Sequence, residues 1–223
     1  MGTGPQAATA GCGAAPDAPR ATAAPKAPVP QEAGDTAARS LGARVVDAPA
    51  LDPVSAEAAA ALKARGDAVF PAGDGLVYRG ASAGLVIVEL AGDGPKLYER
   101  AALYLPGAAT DVVAAGDTAY VALGPVGVVA VDVRDPAAPR ALALVETDGA
   151  ALRLDLRGDR LLVADGAAGV LLLDVSDPGA PCPRGRWRSR GYVRHAIFDG
   201  ERVLVADGRE GVALLEPDRK SVV

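Results

Sequence analysis

Histidine occurs once in these 223 residues, tryptophan once, and cysteine and phenylalanine twice each. That scarcity removes most routes to catalysis. A nucleophile needs a base beside it, and a zinc-type centre needs three or four His, Cys or carboxylate ligands at close spacing. His195 alone supplies neither, so no enzyme, metal site or cofactor is expected. The two cysteines, Cys12 and Cys182, lie 170 positions apart, which gives no metal site and no disulfide framework. A basic surplus is missing too. The formal net charge of −5 argues against nonspecific affinity for nucleic acid or anionic lipid, because both draw on Lys and Arg. No apolar run reaches the roughly 18 residues that span a bilayer, and no basic region followed by an apolar stretch opens the chain.

Residues 1–40 also lack large side chains. They hold 13 Ala, 6 Pro and 5 Gly, and Val29 is the only large aliphatic after Met1. Such a stretch cannot bury enough apolar surface to offset its chain entropy, and its prolines keep it extended. The composition predicts a disordered tail or tether over residues 1–37, a closing strand and a short helix over 38–66, and the folded body over 67–223. Within the tail, Thr9-Ala10-Gly11-Cys12 followed by Gly13 resembles the cleavage box of bacterial lipoproteins without its hydrophobic stretch. The resemblance implies lipidation of Cys12 and a membrane tether; an incidental cysteine in low-complexity sequence is the alternative.

The body carries a repeat. Gly127-Val128-Val129-Ala130-Val131-Asp132 recurs 42 residues later as Gly169-Val170-Leu171-Leu172-Leu173-Asp174, and 42 later again as Gly211-Val212-Ala213-Leu214-Leu215-Glu216. Stepping back 43 gives Gly84-Leu85-Val86-Ile87-Val88-Glu89. Four units therefore begin near residues 67, 110, 152 and 194. Each reads as four short strands separated by turn chemistry, the pattern of a propeller blade. In the third unit the strands are predicted at Leu152–Leu156, Arg160–Ala164, Val170–Val175 and Arg184–Arg190. Gly158-Asp159 marks the first hairpin, Asp165-Gly166 the second turn, and Asp177-Pro178 ends the third strand, since Pro removes a ladder donor. The third strand is apolar on both faces, as a sheet between two others requires.

An all-β propeller of four blades of about 42 residues follows. A closed four-bladed ring is the first expectation; an open arc, or a half-ring completed by a second copy, are the alternatives. The last unit stops soon after its third strand. Ser40 to Asp47 has the look of a fourth strand and is expected to complete that blade. Between them, Asp52-Pro53 and Ser55 to Gly66 read as a short helix with an Asp cap, Pro at its first position and Gly at its end.

The segments Leu85 to Glu89, Val128 to Asp132, Val170 to Asp174 and Val212 to Glu216, with Val133-Arg134-Asp135-Pro136 and Val175-Ser176-Asp177-Pro178 after two of them, resemble the LVIVD repeat of bacterial and archaeal surface proteins. The resemblance covers about residues 67 to 218. It implies a β-propeller in the cell envelope or outside the cell.

Aligning the first strands of the units puts Asp111, Arg153 and His195 at one position and Asp155 two residues further on, a spacing that shares a face. These four are the candidate ligand-binding residues, converging near the ring axis, with Arg153 as a fork for a carboxylate. Mutual pairing within the channel mouth is the alternative. Arg184, Arg186, Arg188 and Arg190 fall on one face of the predicted outer strand and read as protection against edge pairing rather than a nucleic-acid site. Asp132, Asp135, Asp174 and Asp177 read as turn caps rather than calcium ligands. The function expected is a noncatalytic scaffold of the cell envelope binding an unidentified protein or glycan, as a monomer or as a dimer if the ring is incomplete. The alternative is a small-molecule hydrolase or isomerase working at the channel mouth.

Overall fold

The computed structural model describes residues 43–47, 68–73, 75–90 and 97–216. These residues form four antiparallel sheets and one 3-10 turn, Gly208–Glu210. The first sheet is β2 (Val69–Gly73), β3 (Leu76–Ala81), β4 (Gly84–Leu90) and β5 (Leu97–Tyr104). The second takes β6 (Asp111–Ala115), β7 (Thr118–Ala122), β8 (Val128–Asp132) and β9 (Arg140–Thr147), with β1 (Ala43–Asp47) added at its outer edge. The third is β10 (Arg153–Arg157), β11 (Arg160–Ala164), β12 (Val170–Asp174) and β13 (Cys182–Trp187). The fourth has three strands, β14 (His195–Asp199), β15 (Arg202–Ala206) and β16 (Val212–Leu215).

Because side chains alternate across a strand, each middle strand serves two interfaces. Leu161 and Val163 of β11 pack toward the second sheet, while Leu162 and Ala164 pack toward the fourth. Three apolar cores result, between the first and second, second and third, and third and fourth sheets. Among the described residues no apolar core joins the fourth sheet back to the first.

Local turn chemistry fixes the strand ends. Asp132, Asp135, Asp174 and Asp177 each accept a backbone N–H two residues on, at 2.9 to 3.0 Å, the turn-capping role that the sequence assigned to them. At the start of β8 and β12 stand Gly127 (φ +111) and Gly169 (φ +94). A Cβ at either would run into the backbone carbonyl of the neighbouring fourth strand, at Val145 and Trp187 respectively. Gly211 starts β16 with φ +87, and nothing lies within 4 Å of its would-be Cβ. Among the described residues the fourth sheet has no strand there to supply that carbonyl.

Several expectations need correction. The segment read as the closing strand of the last blade lies instead on β9, in a register that sets Val45 opposite Val145 and Arg44 opposite Glu146. Strand β13 begins at Cys182 and ends at Trp187 rather than spanning Arg184 to Arg190. A register shift between Leu172 and Leu173 skips Arg184, and the chain then turns at Ser189, whose hydroxyl oxygen accepts the Gly191 N–H at 2.8 Å. The predicted stripe of four arginines is thereby broken. Cys182 is buried and disulfide-bonded, against the reading that the cysteines form no disulfide. The expected tail, the helix over 52–66 and Cys12 lie outside the described residues.

Candidate functional site

The innermost strands bring some of the expected residues together and commit them to stitching adjacent sheets. Asp111 Oδ2 accepts the Leu154 N–H at 2.8 Å, and its Oδ1 accepts the Val112 N–H at 3.0 Å. The Arg153 guanidinium donates to the Thr110 carbonyl at 2.7 Å and stands 3.9 Å from Asp111. Asp155 Oδ2 accepts the Phe198 N–H at 2.6 Å, one interface further along. Asp111 and Arg153 thus meet, whereas Asp155 serves the next sheet pair. His195 is exposed and takes no side-chain partner among the described residues. Carboxylates that receive strand N–H groups across an interface hold the sheets in register.

A second polar node was read in the sequence only as a turn. Asp165 is fully buried; its Oδ2 pairs with Arg186 at 2.8 Å, and its Oδ1 accepts the Thr147 hydroxyl at 2.7 Å. Arg186, equally buried at its side chain, also donates to the Ala168 carbonyl at 3.0 Å. Burial pushes the Asp165 carboxyl above its ordinary value, and the bonds from Thr147 and Arg186 pull against it. The same position in the fourth sheet is Asp207, 3% exposed, which accepts the Ser189 hydroxyl. The signal available in the sequence was the change from Leu123 and Leu144 in the second unit to Asp165 and Arg186 in the third.

Near the rim, Arg184 pairs with Asp174 through two nitrogens. Desolvation tends to raise the Asp174 carboxyl, but hydrogen bonds from the Ser176 hydroxyl and N–H and from Arg184 overrule it and hold the group at about 2. A carboxyl lowered in the folded state adds stability above its unfolded value and loses it as pH falls toward the folded one. Acid titration of stability is therefore expected to show a step of about 1 to 2 kcal/mol between roughly pH 4 and 2, after allowance for solvent screening, and Asp174→Asn should lack that step. Urea midpoints measured across that range check it.

A cleft of about 320 Å³ lies between the third and fourth sheets. Leu162, Leu172, Trp187 and Leu215 give it an apolar lining, with Arg184 and Glu216 also on its wall. Beside it runs β16, whose outer edge has no neighbour among the described strands. The far face of that sheet is apolar and open as well. Val212 and Leu214 are 77% and 51% exposed, whereas Val128 and Val170, the equivalents of Val212, are 1% and 3% exposed.

Four repeated antiparallel sheets stacked through apolar faces, one of them with three strands among the described residues, define a propeller-type repeat scaffold. Residues 106–147 and 148–187 match the LVIVD repeat model as two consecutive repeats, in line with the resemblance read from the sequence. No curated protein matches the chain. Among solved structures, the computationally designed Ika4 protein is similar at 12% identity and TM-score 0.57, over 69% of this chain and 92% of that one. The computationally designed Ika8 protein is similar at 11% identity and TM-score 0.58, over 69% of this chain and 46% of that one. These likenesses bear on the fold.

Proposed function

We propose that the chain is a noncatalytic binding scaffold of the cell envelope that takes a protein partner on its incomplete fourth sheet. The observation that carries this reading is the open edge of β16 beside an apolar cleft. An unpaired strand edge offers a row of backbone donors and acceptors to an extended segment, and an adjacent cleft selects its side chains. The first-strand polar residues speak less for chemistry, because Asp111, Arg153 and Asp155 already hold sheets together. The test is selection from a displayed peptide library, followed by hydrogen exchange. Extended peptides that slow exchange of the Val212–Leu215 amides would support it; selection of none, or protection only elsewhere, would sink it. A glycan array probed with the same protein separates the glycan alternative.

Two features favour export. The repeat resembles that of surface proteins, and a disulfide at Cys182 suits an oxidising compartment. With only two cysteines in the chain, an intramolecular disulfide and a lipid on Cys12 exclude one another. Thiol titration of the denatured, unreduced protein purified from the envelope is expected to find no free thiol. One free thiol with a lipid-sized mass increase would instead favour the tether at Cys12.

A further inference from the structure

We infer that the open edge of the fourth sheet receives an extended partner segment carrying an arginine that binds Asp207. The inference rests on the reading of the fourth sheet as the binding surface and names what binds there.

The chain itself supplies the rule. In each complete sheet, the residue that follows the second strand, or ends it, packs or pairs with a residue on the fourth strand. In the first sheet both are alanines, Ala81 and Ala102, in one small cluster. In the second they are leucines, Leu123 and Leu144, in one core. In the third they are the ion pair Asp165 and Arg186. Register places the fourth-strand member opposite Val86, Val129 and Leu171 in turn. The two positions change together, so each predicts the other. In the fourth unit the turn residue is Asp207, buried, with the Ser189 hydroxyl standing where Thr147 stands for Asp165. The member still to be supplied is an arginine on a strand running opposite Ala213.

One further position agrees. Gly211 keeps the glycine of its equivalents, with open space where their fourth-strand carbonyls lie. In a second copy of this chain Arg184 and Arg186, which already sit on a strand of this pattern, are engaged inside the third sheet, and the occupant assigned is a segment of a different protein.

The probe is a labelled synthetic peptide copying residues 180–188, with Cys182 replaced by serine, titrated into the full chain by fluorescence anisotropy. Saturable binding with slowed exchange at Val212–Leu215 is expected. An Arg186→Leu change in the peptide, or Asp207→Leu in the protein, should each weaken binding by about 30-fold, the scale of a buried charge-assisted contact. Combining the two changes should restore much of it, since the pair then copies Leu123 and Leu144. Gly211→Ala should keep a cooperative melt and lose binding, its new Cβ blocking the incoming backbone. Equal binding by wild type and Asp207→Leu overturns the inference, as does protection elsewhere. If this peptide fails while library peptides without arginine still protect β16, the arginine assignment falls and the scaffold reading stands. If neither binds, both fall. Protection of β16 that rises with protein concentration alone would make the occupant a second copy and also overturn the inference.

Discussion

Replacing Arg186 by Met is expected to destabilise the fold by about 3 to 5 kcal/mol, the usual loss when one partner of a buried ion pair is removed and the other charge stays behind. In a domain of this size that lowers the melting temperature by roughly 10 °C. Asp165 would keep the Thr147 hydroxyl but lose its only cation, at a site with no solvent contact. The double variant Asp165→Leu/Arg186→Leu should recover most of the loss, because the second sheet already holds leucines at these two positions, Leu123 and Leu144, inside a packed core. The pH dependence gives a second reading. A carboxyl raised in the folded state contributes stability below its unfolded value and loses it as pH rises through the folded value. Burial already raises Asp165, and removing Arg186 raises it further. The deficit of Arg186→Met is therefore widest at neutral pH and narrows in acid, where the carboxyl takes a proton. Urea midpoints for the three proteins at pH 4 and pH 7 check both parts; a deficit that stays constant with pH would mean that lost packing, not the stranded charge, is responsible.

The middle strands of each unit were legible because two independent signals coincide there. The turn glycines fix where a strand starts, and a run apolar on both faces fixes that it is buried on both sides; β11 and the start of β12 fall where those signals placed them. Edge pairing was not legible. The segment ending at Asp47 has the pattern of an outer strand, and nothing in that pattern says which edge it joins; it pairs with β9. The end of β13 was missed because alternating arginines read as one continuous strand, whereas the third and fourth of them follow a turn held by Ser189. Asp165 carries the ordinary tight-turn signature of Asp before Gly, and its partner Arg186 shows only where the third unit departs from the leucines of the second at both positions.

That comparison also separates two glycines that look alike in sequence. Gly169→Ala is expected to cost about 3 kcal/mol or more, and Gly211→Ala about 1 kcal/mol. Both residues have positive φ, +94 and +87, so an alanine at either carries the same backbone strain. The difference is the neighbour. At Gly169 the added Cβ meets the carbonyl of Trp187 and the amide of Ser189, and the backbone can make room only by moving β13 off β12. That movement would also pull Arg186 from Asp165, so the loss couples to the buried ion pair and should exceed steric strain alone. At Gly211 no fourth strand is present among the described residues, and the Cβ enters open space. Measured side by side, a large gap between the two variants shows that the fourth sheet is open in solution. A loss at Gly211 equal to that at Gly169 would show that a strand covers β16 in the isolated protein, leaving no free edge for a partner.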